Sequence, residues 1–211
     1  MGIKAPWLPQ GAVYGPLLNF RREFALWAPK MSEAPYKAAP QAPVLYVKTA
    51  NTFACNGAAV AAPGAVELGA TLGLVMGERG VPEAAVLLND LSLPHASYYR
   101  PAIRFRNRDG FLVCAPAATP LAQLNLKALA IEARVNGARV QSVDLSTLVR
   151  DAATLLADVS AFMSLQPGDV LMLGTDCLAD GARPRAKAGD RIEISAPGLA
   201  PLAHTVIGEP S

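Results

Sequence analysis

The apolar positions near residue 150 follow a helical period and predict one long helix. Between 145 and 163 they recur at steps of three and four residues, which places them on one face of an α-helix. Asp144 is the predicted N-cap, and the Gln-Pro-Gly-Asp turn at 166–169 ends the segment. The stripe consists of Leu145, Leu148, Val149, Ala152, Leu155, Leu156, Val159, Phe162 and Met163. We expect this helix to pack against the core.

Most of the remaining apolar segments are short and lie between turn residues, a pattern typical of strands. The segments 44–48 and 70–76 are such runs, and glycines flank the second, which favours a buried strand. Asn136 and Gly137 separate the two β-prone halves of the segment 129–140. This dipeptide predicts a hairpin with a tight turn.

Two further strands and two short helices complete the predicted elements. PGDVLMLGT at 167–175 and AGDRIEIS at 188–195 each place a Gly-Asp turn before a strand. One short helix is predicted around 20–27, and another from Pro82, a helix-start proline, to about Leu88. Many short strands with one long helix indicate an α+β fold rather than a βαβ repeat.

The first 43 residues differ in composition from the rest of the chain. They contain seven of its 18 prolines. We interpret 1–43 as a proline-rich N-terminal segment that packs on a domain formed by 44–211. At 211 residues the chain has the length of one substantial core, so we expect a single domain overall.

Composition and charge exclude several classes of function. The chain is 52% hydrophobic and 17% charged, which excludes disorder, and its net charge of +2 gives no support to a nucleic-acid or membrane-surface role. The first residues, MGIKAPWLPQ, lack an apolar core segment, so we expect no signal peptide, and no apolar run approaches the roughly 20 residues that cross a bilayer. Three widely spaced cysteines without CxxC spacing predict reduced thiols in a cytoplasmic protein.

The basic segment YYRPAIRFRNRDGF at 98–111 is the most unusual local feature. If it is extended, Arg104, Arg106 and Arg108 alternate onto one face with a spacing of about 6.6 Å. Planar guanidinium groups at that spacing suit a ligand with several carboxylates. The alternative is a solvated edge strand whose arginines discourage pairing with another strand.

Other chemistry-bearing residues carry weaker signals. Asp90 follows the predicted 82–88 helix, and a lone aspartate is more often a cap or turn residue than a metal ligand. Thr175 ends a predicted strand and could donate its hydroxyl and backbone N–H to an oxyanion. His95 and His204 are isolated in the sequence, and neither a zinc-protease nor a serine-nucleophile motif is present.

Several of these segments, in this order, resemble the fumarylacetoacetate hydrolase family. The resemblance runs through most of the chain, and although each motif is weak alone, their order is a strong signal for the fold. The segments are VYGPLLNF (13–20), APVLYVK (42–48), GATLGLVMG (69–77), LLNDLS (87–92), FRNRDGF (105–111), QPGDVLMLGT (166–175) and KAGDRIEISAPGLAPLAHTV (187–206). The resemblance implies a mixed β-sandwich roll and a mechanism in which Mg²⁺ chelates a 2-oxo acid substrate.

The family pattern also implies roles for individual residues. Asp90 matches the family's metal-ligand aspartate, and Arg106 stands where the family has a substrate-contacting lysine. Lys48 and Thr175 match positions close to the bound ligand. The resulting candidates are Arg106, Lys48 and Thr175 for catalysis, Arg104, Arg108 and Gly174 for substrate binding, and Asp90 for a degenerate metal site.

The chain departs from the family where acidic residues are expected. Gly69 and Thr71 replace the two metal-binding glutamates, and residues two apart in a strand share one face. Glu23 and Leu26 stand in place of the family's His-x-x-Glu acid/base pair. One aspartate and one hydroxyl are a poor site for a hard divalent cation. We therefore expect that this chain does not bind Mg²⁺.

Within the family, the segments 32–40, 47–53, 89–111 and 144–175 are most similar to the N-terminal half, or separate first subunit, of the bifunctional decarboxylase/isomerases of 4-hydroxyphenylacetate catabolism. Their substrates, 5-oxopent-3-ene-1,2,5-tricarboxylate and 2-hydroxyhepta-2,4-diene-1,7-dioate, would explain clustered arginines. The first hypothesis is a subunit of such an enzyme that binds a small polycarboxylate and pairs with a paralogous second subunit or with a second copy.

Two other hypotheses remain open from the sequence. The chain could be a catalytically degenerate, metal-free partner that stabilises a metal-bearing paralogous subunit. Outside the family, it could be a small anion-binding module built on the arginine face.

Overall fold

Strands dominate the computed structural model of the chain, which describes residues 6–97 and 102–209. In that part there are three α-helices, α1 (Arg21–Trp27), α2 (Ile103–Arg106) and α3 (Ala152–Ser160). The strands, in chain order, are β1 (Val13–Leu17), β2 (Val44–Lys48), β3 (Phe53–Ala54), β4 (Ala59–Ala62), β5 (Val66–Glu67), β6 (Ala70–Met76), β7 (Pro82–Asp90), β8 (Leu112–Cys114), β9 (Thr119–Pro120), β10 (Ala130–Val135), β11 (Ala138–Asp144), β12 (Val170–Met172), β13 (Arg185–Ala186), β14 (Arg191–Ser195) and β15 (Leu202–Gly208).

The strands form two large sheets and one short pair. The first sheet runs β2-β1-β12-β6-β7-β8-β3, with β9 paired to β7, and the second runs β11-β10-β14-β15-β4. Strands β13 and β5 form the separate pair. Most neighbours are antiparallel, although β1 and β12, β3 and β8, and β15 and β4 are parallel. This mixed α+β arrangement confirms the predicted fold class.

The hydrophobic core lies where β6 and β7 of the first sheet face β10 and β14 of the second. Six of the seven residues of β6 are buried, and so is the whole second half of β7. A strand covered on both faces needs apolar side chains in succession rather than in alternation. The predicted buried strand at 70–76 is therefore confirmed at its predicted bounds.

The turn chemistry predicted the hairpin and the two Gly-Asp strands. Strands β10 and β11 pair around Asn136 and Gly137, whose φ angles of 50° and 80° are those that this tight turn requires. Strand β12 follows the 167–169 turn and β14 follows the 188–190 turn, as expected. The helix predicted at 20–27 is also present, as α1.

The proline-rich segment contributes an internal strand to the first sheet. Strand β1 lies between β2 and β12 and pairs with both. The predicted boundary between 43 and 44 therefore falls between two paired strands, β1 and β2. None of the helices in the described ranges is long and apolar enough to cross a membrane.

The single long helix predicted over 145–163 is wrong in its extent. The segment begins with a 3₁₀ turn at Leu145–Thr147, is extended at Leu148, and forms an α-helix only in α3. Asp144 does cap the first turn through the Ser146 N–H, but Asp151 caps α3 through the Thr154 N–H. Two local N-caps compete within one apolar stripe, so the chain restarts the helix rather than continuing it. Phe162, predicted on the packing face, is 64% exposed.

The helix predicted from Pro82 to about Leu88 is also wrong, because this segment belongs to β7. Its residues pair with β6, with Ala84 opposite Val75 and Asn89 opposite Ala70. Local composition favoured a helix, since the segment combines a helix-start proline with two alanines. A continuous apolar run between two neighbouring strands satisfies its backbone groups better as a strand.

Candidate functional site

A buried group of charged side chains surrounds the carboxylate of Asp90 at the end of β7. Lys48 Nζ lies 2.9 Å from Oδ1, and Arg106 Nη1 lies 3.0 Å from Oδ2. The Tyr46 hydroxyl also donates a hydrogen bond to Oδ2. The side chains of Lys48 and Asp90 are 0% exposed and that of Arg106 is 6% exposed. We call these four residues the Asp90 cluster.

Local structure explains how the Asp90 cluster assembles. Tyr46 and Lys48 are two residues apart on β2 and therefore point to the same side of the strand. Arg106 is the last residue of α2, whose short turn directs its guanidinium over the Tyr46 ring at 4.6 Å from the centroid. The structure thus brings together three of the residues singled out from the sequence: Lys48, Asp90 and Arg106.

The charge state of Asp90 follows from its neighbours. Burial alone would raise the pKa of its carboxyl, but the nearby charges of Lys48 and Arg106 outweigh that effect and hold the pKa below its ordinary value. The carboxylate is therefore ionised at neutral pH. Burial, followed by the Asp90 charge, raises the pKa of Tyr46 well above its ordinary value, so its phenol stays protonated.

The residues present do not fit a divalent metal ion. Both oxygens of Asp90 are already engaged by cations, and the Thr71 hydroxyl donates to the Gly174 carbonyl at 2.6 Å. A Cβ at Gly69 would collide with the Asp90 carbonyl oxygen and lie 2.9 Å from Thr175 Cγ2. Across residues 6–97 and 102–209, no three acidic, cysteine or histidine side chains converge on a possible metal position. Hard cations require several such oxygen ligands.

The arginine face predicted for the 98–111 segment does not form. Arg104, Arg106 and Arg108 were expected to alternate along an extended strand, but α2 turns the chain and separates their side chains. Arg104 is exposed, Arg106 enters the Asp90 cluster, and Arg108 pairs with Glu209 at the surface. The first part of the predicted segment, 98–101, lies outside the described residues.

A second buried ion pair lies next to the Asp90 cluster. Arg183 Nη2 pairs with Glu23 Oε1 at 2.5 Å, and their side chains are 10% and 4% exposed. Arg183 Nη1 donates to the Thr175 hydroxyl at 2.6 Å and to the Asp176 carbonyl at 3.2 Å. The Gly174 carbonyl accepts a hydrogen bond from the Thr71 hydroxyl, and the Thr175 side chain lies close to Gly69. Gly174 and Thr175 therefore lie between the two ion groups.

This second ion pair faces an open cavity of about 420 Å³. The charged and aromatic side chains that line it are Glu23, Trp27, Glu67, His95, Arg183 and Arg185. The His95 ring stacks on Phe105 with centroids 5.3 Å apart, and its Nδ1 donates to the Leu93 carbonyl at 3.0 Å. The cavity therefore presents both signs of charge beside an imidazole.

Sequence reasoning missed two members of these groups. Tyr46 could have been found, because it lies two positions before Lys48 in a predicted strand and must share its face. Arg183 carries no local signal, since it lies in a loop and meets Glu23 only through tertiary structure. His204, isolated in the sequence, is buried and accepts a hydrogen bond from the Asn89 side chain, and burial lowers its pKa to about 4.

Comparison with known proteins identifies the family of this chain. The model of the fumarylacetoacetate (FAA) hydrolase C-terminal family matches residues 12–207. The chain belongs to the fumarylacetoacetate hydrolase family. It is 34% identical over 212 residues to the 4-hydroxyphenylacetate degradation bifunctional isomerase/decarboxylase of Escherichia coli. That alignment covers 95% of this chain but 48% of the relative, so the chain spans about half the length of the curated relatives it matches.

Solved structures of family members share the fold at lower identity. The 5-carboxymethyl-2-hydroxymuconate delta-isomerase of Mycobacterium smegmatis has a TM-score of 0.74 and 22% identity, over 95% of this chain and 80% of that one. The maleylpyruvate hydrolase of Sphingobium sp. SYK-6, solved with manganese(II) and pyruvate, has a TM-score of 0.73 and 20% identity. That match covers 96% of this chain and 72% of the hydrolase.

Proposed function

We propose that this chain is a subunit of the isomerase/decarboxylase of 4-hydroxyphenylacetate degradation and that it binds a polycarboxylate without a divalent cation. The observation that carries the proposal is the charge of the Asp90 cluster. Lys48 and Arg106 place two cations against the single carboxylate of Asp90. The cluster therefore has an excess of one positive charge in a water-excluded position, where an anion is attracted and a second cation is repelled.

The excess charge suits the decarboxylation half of the proposed activity. When the C–C bond to the leaving carboxylate on C2 breaks, CO₂ departs and the electron pair passes through the C3=C4 double bond onto the 5-oxo oxygen as a dienolate, and a proton from solvent then gives the 2-hydroxy-diene. A fixed cation near that oxygen stabilises the developing charge, as a preorganised electrostatic site does. Arg106 and Lys48 are the proposed sources of this stabilisation, and Thr175 is the proposed hydrogen-bonding group at the ligand.

The neighbouring cavity supports binding of a substrate with several carboxylates. Arg183 and Arg185 both line it, and each is paired with a glutamate, Glu23 and Glu67 respectively. A substrate carboxylate can replace a glutamate on a planar guanidinium with little change in geometry. Arg183 also joins the cavity to Thr175 and so to the segment that carries Gly69.

The second candidate is a catalytically degenerate, metal-free partner of a metal-bearing paralogous subunit. The observation that favours it is the extent to which the Asp90 cluster is satisfied from within the protein. Lys48 Nζ contacts four oxygens, and the Tyr46 hydroxyl is committed to Asp90. Such a cluster stabilises the fold whether or not a substrate is present.

Turnover by the isolated chain separates the two candidates. The purified chain would be mixed with 5-oxopent-3-ene-1,2,5-tricarboxylate, and loss of the substrate's conjugated absorbance would be followed with Mg²⁺ and with a chelator. The proposed function predicts turnover that the chelator does not change. Arg106→Gln should lower that turnover at least about tenfold, the equivalent of about 1.4 kcal/mol. Glu132→Gln, which alters a partly exposed ion pair with Arg134, is the control and should leave the turnover unchanged.

Other outcomes identify the second candidate or reject the metal-free site. No turnover alone, combined with higher activity or stability of a glutamate-bearing paralogue on mixing, would establish the degenerate partner instead. Turnover that the chelator abolishes and Mg²⁺ restores would contradict a metal-free site. Binding can be measured separately with propane-1,2,3-tricarboxylate, a stable tricarboxylate, by isothermal titration calorimetry.

A further inference from the structure

Helix α1 buries a charged side chain and leaves an apolar one in solvent. Glu23 is the one buried residue of α1, at 3% exposure, whereas Leu26 on the same helix is 44% exposed. A surface helix normally buries its apolar face and exposes its charges. Replacing a buried ion pair by apolar side chains of similar volume is often neutral or stabilising. Stability alone therefore does not account for a buried carboxylate at this position.

The carboxylate of Glu23 is fixed at the wall of the cavity of about 420 Å³. Its Oε1 accepts a hydrogen bond from Arg183 Nη2 at 2.5 Å, and the same guanidinium donates to the Thr175 hydroxyl. His95 and Arg185 line the same cavity. Glu23 therefore holds a negative charge beside the space that the proposed function gives to the substrate.

The isomerisation half of the proposed activity needs a group that accepts and returns a proton. The Asp90 cluster is poorly suited to this, because Lys48 and Arg106 engage the two oxygens of the Asp90 carboxylate. Burial, followed by the Asp90 charge, raises the pKa of Tyr46 well above its ordinary value, so its phenol keeps its proton. The carboxylate at the cavity wall is the better placed group.

We propose that Glu23 transfers the proton in the isomerisation of a 2-hydroxy-2,4-diene diacid, the kind of compound that the proposed decarboxylation releases. This role rests on the proposed function. Glu23 takes the proton of the 2-hydroxyl group, and the electron pair of the O–H bond forms the C2=O bond. The C2=C3 pair moves to C3=C4, and the C4=C5 pair binds the same proton at C5. The product is a 2-oxo-3-ene diacid, and the carboxylate of Glu23 is regenerated.

The shape and charge of such a diacid suit the cavity. When the hydroxyl is cis to C4 and the diene is s-cis, the hydroxyl oxygen and C5 lie on the same side, so one carboxylate can reach both. Arg183 and Arg185 provide two guanidinium groups for the two terminal carboxylates.

Replacing Glu23 by glutamine tests this role, because the amide oxygen can still accept from Arg183. The native chain and Glu23→Gln would each be mixed with 2-hydroxyhepta-2,4-diene-1,7-dioate, and loss of the diene absorbance would be compared with the uncatalysed rate. The kcat of the variant should fall at least about 100-fold, the lower end of what general acid–base catalysis contributes. Its dissociation constant for propane-1,2,3-tricarboxylate should not rise, because the substitution removes no positive charge.

Two further variants are the controls. Glu23→Asp retains a carboxylate and should isomerise the diene faster than Glu23→Gln. Glu132→Gln makes the same substitution in a partly exposed pair with Arg134 and should leave kcat unchanged. Native isomerisation that Glu23→Gln leaves intact, or that depends on His95 instead in a His95→Gln variant, would overturn the proposal.

The two halves of the activity can be separated in the same variant. With 5-oxopent-3-ene-1,2,5-tricarboxylate, Glu23→Gln should release CO₂ at close to the native rate and accumulate the hydroxy-diene. A native chain that releases CO₂ but isomerises no faster than buffer would overturn the role of Glu23 and leave the proposed decarboxylation standing. A native chain that does neither would overturn both.

Labelling in D₂O provides a second test that needs only the native chain, should Glu23→Gln not fold. A fixed carboxylate delivers the proton to one face of C5, so the product should carry deuterium in a single configuration at that carbon. Equal labelling of the two faces would show that solvent water protonates C5, and it would overturn the proposal.

Discussion

Two buried ion groups lie side by side in this chain and differ in what surrounds them. In the Asp90 cluster, the charged side chains are enclosed by β2, β7 and α2 and are at most 6% exposed. The Glu23–Arg183 pair is almost as buried, at 4% and 10%, but borders a cavity of about 420 Å³. Protein surrounds the first group on all sides, whereas the second borders a cavity.

The difference in surroundings should decide what each ion group contributes. A buried charge is tolerated only when other charges and hydrogen bonds replace the water that it has lost. In the Asp90 cluster that replacement comes entirely from the chain, so its removal should affect stability first. Arg183 and Glu23 border a cavity, so we expect removal of Arg183 to affect ligand binding more than folding.

The largest expected effect comes from breaking the Asp90 cluster. Asp90→Asn removes the carboxylate that neutralises Lys48 and Arg106, and it should cost about 3–5 kcal/mol of unfolding free energy. Urea denaturation followed by circular dichroism measures this loss. Glu132→Gln, in a partly exposed pair with Arg134, is the control, and its loss of stability should be small, below about 1 kcal/mol. Equal losses for the two variants would show that the cluster does not stabilise the fold.

A smaller loss of stability but a larger loss of binding is expected at the second pair. Arg183→Gln removes the guanidinium beside Glu23 and should cost about 2 kcal/mol, because water in the cavity can hydrate the remaining carboxylate. Its dissociation constant for propane-1,2,3-tricarboxylate should rise at least about tenfold. Calorimetric titration of this variant and of Arg185→Gln tests the comparison. Unchanged affinity in the Arg183 variant would show that the cavity is not part of the binding site.

Acid should destabilise the Asp90 cluster and the neighbouring His204–Asn89 contact in different pH ranges. His204 has a folded-state pKa of about 4, caused mainly by burial, below the ordinary value of 6.5. The unfolded chain therefore binds a proton that the folded chain does not, and His204 should remove about 3 kcal/mol as the pH falls from 6.5 to 4. Asp90 acts in a lower window, since its depressed pKa preserves its contribution until the pH falls below the ordinary aspartate value of 3.8.

The pH effect can be isolated by comparing the native chain with His204→Gln. Unfolding free energies at pH 7, 5.5 and 4.5 should decline less steeply in the variant. The same slope in both proteins would show that other groups cause the acid sensitivity.

The smallest effect is expected at Arg104, which lies outside both ion groups. Arg104 is exposed on α2, and Arg104→Ala should change the unfolding free energy by less than about 0.5 kcal/mol. Tricarboxylate affinity should also be unchanged in calorimetric titration. A tenfold weaker affinity would show that Arg104 contacts the ligand and belongs to the candidate site.

Much of the fold could be predicted because its signals are local. The Asn136–Gly137 turn and the glycine-flanked run at 70–76 need only neighbouring residues to be recognised. Where several local signals competed, the prediction was wrong: the stripe at 145–163 contains a second cap at Asp151, and the alanines after Pro82 favoured a helix where β7 forms. The segment after Pro82 forms a strand because it pairs with β6, and this pairing cannot be recognised from the residues of the segment alone.

The candidate site was predictable only in part. The ordered motifs identified Lys48, Asp90 and Arg106, and the missing glutamates at Gly69 and Thr71 were visible in the sequence. The alternation of Arg104, Arg106 and Arg108 was wrong, because an extended conformation was assumed where α2 turns the chain. Arg183 could not be found, since its partner Glu23 is 160 residues away in the sequence.

The sequence by itself determined which chemical groups are available and which are absent. It specified one aspartate without its acidic companions, two nearby basic residues, and the glycines and asparagines that turn the strands. Only the tertiary structure decided that Lys48 and Arg106 both meet Asp90, and that Arg183 opens onto a cavity. The physical reason is that the interactions of a buried charge depend on atoms within a few ångströms, and the fold determines which atoms these are.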